Sequence, residues 1–177
     1  FKTIEQEGRD EEVSVTFGFY NSKEGDRRYD AIQMSSIFDG IIGRNIAAVG
    51  TAMVVKESEA MIINVGVGRA WFNHTWTLND ALLPLVSSTV RDSAEPYDAV
   101  VLEVDSREAG QANDIKIIKG TPASNPTKPT MVKTNDRWQY PLAYIYVGAG
   151  VTSIRQANIT NCVGTSECPF VTAPLDK

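Results

Sequence analysis

Tyr97-Asp98-Ala99-Val100-Val101-Leu102-Glu103-Val104 is the stretch on which the fold turns. Val100, Leu102 and Val104 share one face at the period of two that a strand requires. A later run, Leu142-Ala143-Tyr144-Ile145-Tyr146-Val147, is apolar at both parities, as a central strand buried on both faces would be. Ile115-Lys116-Ile117-Ile118 supplies a third strand between them. No long amphipathic helix separates these runs, so a regular βαβ alternation is excluded. The expected fold is mainly β, a β-sandwich or open barrel.

Upstream the signals are of the same kind. Met61, Ile63, Val65 and Val67 alternate against Ile62, Asn64, Gly66 and Gly68, and the glycines point to a bulge or a close backbone approach. Arg69-Ala70-Trp71-Phe72 and Thr75-Trp76-Thr77-Leu78 flank Asn73-His74, which reads as a two-residue hairpin loop. Leu82 to Val86 contains Pro84 and so reads as an edge strand. Met53-Val54-Val55 is a shorter candidate, and Val13 to Tyr20 alternates cleanly ahead of a turn over Asn21 to Asp26. The period changes once. Met34, Ile37, Phe38, Ile41 and Ile42 fall at helical spacing, with Gly43 as a stop, so one short amphipathic helix near the N-terminus is expected from Asp30 to Gly43, packed on a sheet.

Three prolines between Pro122 and Pro129 forbid ladder pairing there, which predicts an extended surface loop. Ile154 to Thr160 predicts a short helical turn. The organisation expected is an acidic arm over 1–12, a β-rich body over 13–161, and a C-terminal tail over 162–177.

The 177 residues carry 17 basic and 22 acidic side chains. Residues 1–12 hold a net −3 of the overall −5, leaving the body close to balanced. A pI of about 4.9 and a single adjacent basic pair, Arg27-Arg28, argue against nucleic acid as a partner, since phosphate neutralisation needs a basic stripe. No apolar run approaches the roughly 20 residues that span a bilayer, so no membrane insertion is expected. Nor does the N-terminus as given show the basic stretch and apolar core of a secretory signal.

Chemistry-bearing motifs are scarce. Gly66-x-Gly68 and Gly148-x-Gly150 start like dinucleotide loops, but Trp71 and Ser153 occupy the third glycine position and no long helix follows. His74, the only histidine, is better explained as a turn residue than as a general base. Glu103 and Asp105 share a strand face and could serve a glycosidase, yet such pairs normally face each other across a groove. Asp105 to Asp114 offers oxygen ligands, but Arg107 and Ala109 stand where a calcium loop wants acceptors. Neither a catalytic set, nor a metal site, nor a cofactor is assigned. Trp71, Trp76 and Trp138 are candidate aromatics for an interface or for stacking on a glycan, which makes a carbohydrate-binding β-sandwich the alternative reading. Cys162 and Cys168 are too few for a zinc site, and Gly164 between them permits the tight turn that a local disulfide needs.

The ordered series of segments resembles siphophage baseplate upper proteins and the N-terminal, virion-attachment domains of tail fibres. The similarity rests on the early strand leading into Asn21-Ser22-Lys23-Glu24-Gly25-Asp26-Arg27-Arg28-Tyr29 and the short helix. It continues through Val65-Gly66-Val67-Gly68-Arg69-Ala70-Trp71-Phe72, the Tyr97 to Asp105 strand and Ile115 to Ala123. Tyr140 to Val147 and Ile154 to Thr160 complete it. The resemblance implies a non-enzymatic structural protein of the virion, assembled in the bacterial host cytoplasm. Its partners would be other tail or baseplate proteins, and it would form a trimer or hexamer, with a host-surface glycan met by a distal domain. The tail with Cys162 and Cys168 departs from the pattern, where a helical or fibrous stalk is expected. The helix and the proline loop are the expected contact surfaces.

Overall fold

The computed structural model describes residues 30–39, 41–43, 45–72, 74–87, 96–107 and 112–171. The acidic arm, the Val13 to Tyr20 strand and the turn after it lie outside the described residues.

The chain is mainly β, as its alternation dictates. Among the described residues one α-helix, α1 (Ala31–Asp39), precedes β1 (Asn45–Ile46), β2 (Val55–Glu57), β3 (Ile62–Val65), β4 (Gly68–Phe72), β5 (Thr75–Asn79) and β6 (Leu83–Val86). Then come β7 (Tyr97–Asp105), β8 (Ala112–Ile118), β9 (Arg137–Tyr146), a 3₁₀ turn (Gln156–Asn158) and β10 (Ile159–Asn161). They form three antiparallel sheets, ordered β1-β4-β5, β2-β3-β6 and β10-β9-β7-β8, and among the described residues no sheet closes into a barrel. The helix starts at Ala31, well into the chain rather than near the N-terminus, and at nine residues it is shorter than its apolar spacing suggests.

β7 is the centre of the four-stranded sheet, buried from Asp98 to Val104 on both faces. Val100, Leu102, Val104 and Ile145 share one buried core with Ile46, Val55, Ile63, Val65 and Phe72 of the two smaller sheets. Phe72 of β4 stacks on Tyr140 of β9, ring centroids 3.5 Å apart. Asn113 of β8 donates its amide to Thr77 Oγ1 at 2.8 Å and to the Trp76 carbonyl at 3.2 Å. At the other end Asn161 clamps β2, accepting the Val55 N–H at 2.8 Å and donating to the Val55 carbonyl at 2.9 Å. These side-chain amides satisfy edge groups that would otherwise be left without partners where one sheet meets the next. The opposite face of β7–β9 lies under the proline loop, where Lys128 sits 4.1 Å from the centre of the Tyr144 ring.

Pro141 lies inside β9, where a missing N–H should break a ladder. It is tolerated because the β7–β9 register shifts at Val100/Val101, so Val101 faces Pro141 and Val100 faces Ala143. The predicted Met53-Val54-Val55 strand is displaced. Residues 51–53 turn, with Ala52 and Met53 at positive φ, and pairing begins only at Val55. That turn lies against Gly66 and Gly68, where a Cβ would come within 2.1 Å of Thr51 Oγ1 and 2.7 Å of Met53 N respectively. Close backbone approach is therefore why glycine stands at both positions.

The described part of the C-terminal tail, 162–171, packs on the body. Cys162 and Cys168 are both buried in the shared core. Phe170 bridges Ile46 in parallel, and the Val171 N–H donates to the Ile46 carbonyl at 2.8 Å, so residues 169–171 extend the β1 edge.

Candidate docking face

The hairpin reading of the Trp71–Trp76 region is accurate. Phe72 pairs with Thr75 and Trp71 with Trp76 across the loop, and His74 takes φ +63°, the left-handed conformation of a tight hairpin turn. The alternation of β4 sends Gly68, Ala70 and Phe72 inward and Arg69 and Trp71 outward. On β5 it leaves Trp76 68% and Leu78 41% exposed. Two tryptophans thus sit side by side on the outer face of an antiparallel pair, Arg69 opposite Leu78 beside them.

The helix borders this surface. Asp30 and Gln33 cap it reciprocally: Asp30 Oδ1 accepts the Gln33 N–H at 2.8 Å and Gln33 Oε1 accepts the Asp30 N–H at 3.2 Å. Phe38 meets Trp71 edge-on, centroids 5.7 Å apart. Met34, Ile37 and Ile41 continue the Phe38 stripe at helical spacing. All four stay exposed, from 37% at Ile37 to 59% at Ile41, and the most buried described residue of the helix is Ser35. The expected inward packing of the apolar stripe is thus reversed in part. With Trp76 and Leu78, the exposed apolar side chains amount to on the order of 500 Å², comparable to the largest apolar patch on an ordinary monomer.

Trp138 does not join it. It belongs to an inner aromatic row, stacked on Tyr140 at 6.0 Å with Lys133 over its ring.

The carboxylates lie elsewhere and are occupied. Glu103, 6% exposed, takes Lys116 Nζ on Oε1 at 2.6 Å, and Arg137 Nη2 at 2.7 Å and Gln139 Nε2 at 2.6 Å on Oε2. Burial by itself would raise its pKa. The hydrogen bonds from Arg137, Lys116 and Gln139 outweigh burial and hold the carboxyl at about 2. Asp105 is paired with Arg107 through both carboxylate oxygens and is likewise held at about 2. A glycosidase needs one carboxylic acid whose pKa is raised so that it can donate a proton. Neither of these two is suited to donate a proton.

Nothing in the spacing of the sequence announces Lys116, Arg137 and Gln139 as partners of Glu103, because β8 and β9 bring them in from separate elements. The Asp30-x-x-Gln33 capping box was legible and would have placed the helix start. Among the described residues no three His, Cys, Asp or Glu side chains cluster as metal ligands, and no helix is long and apolar enough to cross a membrane.

These features define a three-sheet antiparallel body with an apolar outer face formed by one helix and one hairpin. No family model, no curated protein and no solved structure matches the chain.

Proposed function

We propose that the chain is a non-enzymatic docking protein of a phage tail, baseplate or receptor-binding fibre, acting through the face built from α1 and the β4–β5 hairpin. The observation that carries the reading is the exposure of Met34, Phe38, Ile41 and Trp76, with Phe38 edge-on to Trp71, the cross-strand neighbour of Trp76. An apolar patch of this kind has an unfavourable free energy in water, which contact with a protein neighbour relieves. The ordered resemblance to virion-attachment domains supplies the phage tail as the setting, with assembly in the host cytoplasm and residence in the virion. The same resemblance implies self-association as a trimer or hexamer, in which closed symmetry multiplies a weak contact into a durable one.

Sedimentation at micromolar protein, alone and mixed with neighbouring tail proteins, tests the reading. The expected result is a mass of three or six protomers, or a complex with a tail partner, abolished by Ile41→Glu with Trp76→Ser. A monomer that ignores those partners overturns it.

The adjacency of Trp71 to an exposed Trp76 favours one second reading, a glycan-binding surface, since sugar rings stack on such pairs. Binding on a glycan array that Trp76→Ala removes and Trp138→Ala leaves intact would favour it over docking.

A further inference from the structure

Residues 162–168 form a closed loop that joins two sheets. At its start the Cys162 N–H donates to the Leu142 carbonyl at 2.8 Å, which fixes Cys162 to β9 of the four-stranded sheet. At its end Cys168 leads directly into Pro169, whose carbonyl accepts the Ile46 N–H at 3.3 Å, and into Phe170 and Val171 on the β1 edge. Within the loop the chain folds back on itself. Val163 and Thr165 both bridge Cys168, and the Gly164 N–H donates to the Cys168 carbonyl at 2.8 Å with Gly164 at φ +83°. The Thr165 N–H donates to the Cys162 carbonyl at 2.9 Å, and the Cys168 N–H to the Thr165 carbonyl at 3.2 Å. Cys162 immediately precedes Val163, the bridge partner of Cys168, so the two cysteines stand at the two ends of one tight loop closed by its own backbone hydrogen bonds.

Both thiols are free and buried in the same core, Cys162 at 4% and Cys168 at 0% exposure. We propose that Cys162 and Cys168 are a redox-operated staple: oxidation seals the loop covalently, locking the 169–171 strand onto β1. The reaction is thiol–disulfide exchange with a small disulfide such as oxidised glutathione. Cys162, beside Glu167 at the loop rim and the less buried of the two, gives up its proton and attacks one sulfur of the oxidant, releasing one glutathione thiol. The Cys168 sulfur then displaces the second glutathione, and the Cys162–Cys168 bond forms. Two electrons pass to glutathione, which leaves as two thiols carrying the two protons. Burial raises the Cys162 and Cys168 thiols to about 11 and about 12, and the proximity of Cys162 adds to the second. Exchange therefore proceeds through opening of the loop and is slow at neutral pH.

The test uses the full chain, equilibrated with oxidised glutathione and then with excess dithiothreitol. Intact mass should fall by two hydrogens in the monomer, with the bond mapped to the peptide holding 162–168, and should revert on reduction. Melting temperature should rise by about 5–10 °C on oxidation, the size expected for closing a loop this short. Amide exchange at Ile46 and Val171 should slow in the same sample. The proposal is overturned if both cysteines still alkylate after denaturation of the oxidised sample. It is equally overturned if only glutathione adducts or intermolecular dimers form, or if the bond forms without slowing those two amides. The Cys168→Ser variant, if it folds, should lose the temperature shift; the wild-type measurements decide the matter without it.

Discussion

Replacing Glu103 with Gln removes one negative charge from a site that holds two cations. The carboxyl is held at about 2 against an ordinary 4.5, which corresponds to about 3 kcal/mol of stability at neutral pH. Part of that is recovered in the variant. The Lys116 and Arg137 side chains are 37% and 31% exposed and turn toward water once their partner is neutral, so a net loss of about 2 kcal/mol is expected. The pH dependence carries the stricter test. Because the folded pKa is depressed, the stabilisation is fully present above about pH 4.5 and disappears as the pH falls toward 2. Urea denaturation of wild type and Glu103→Gln, followed by tryptophan fluorescence at several pH values from 7 to 2, measures the gap directly. It should be near 2 kcal/mol at pH 7 and close almost completely by pH 2. A gap that stays constant over that range, or that is absent at pH 7, would refute the electrostatic account of this site.

Three further outcomes follow from the geometry. Gly120→Ala places a Cβ 2.0 Å from the Tyr97 carbonyl oxygen and strains the Gly120 N–H bond to Asp98, so urea titration should show a loss of about 3 kcal/mol. The buried thiols are favoured neutral by the fold, so their contribution is complete below about pH 9 and declines as pH rises toward 11–12. Iodoacetamide labelling of the native protein at pH 8 should accordingly run roughly 100-fold slower than of the unfolded chain. Trp76→Ser, at a 68% exposed position, should change the unfolding free energy by less than about 1 kcal/mol while weakening any self-association seen by sedimentation.

Much of the architecture was legible because strands declare themselves locally. The strands at Tyr97 and Ile115, the hairpin around His74 and the edge character of Pro84 each depend on neighbours within a few residues, and each is found as read. Met53 to Val55 was misread because three apolar residues in a row do not distinguish a strand from a buried turn. Here the close approach of Gly66 and Gly68 makes it a turn. The Asp30 to Gly43 helix was read too long, because the spacing of Ile41 and Ile42 continues the stripe without requiring that the helix continue. Of the three tryptophans read as one set, only Trp71 and Trp76 meet, since Trp138 sits on another sheet.

Alternation and turn chemistry alone determined that this protein is β-rich, because strand and turn preferences arise from backbone sterics and near neighbours. Tertiary structure decided everything that requires two distant segments to meet: the cations that neutralise Glu103, the return of the Cys162 segment to the β1 edge, and the outward turn of the α1 stripe beside Trp71. Such pairings depend on which sheet faces which. No local periodicity encodes that choice, because each pairing joins residues far apart in the chain.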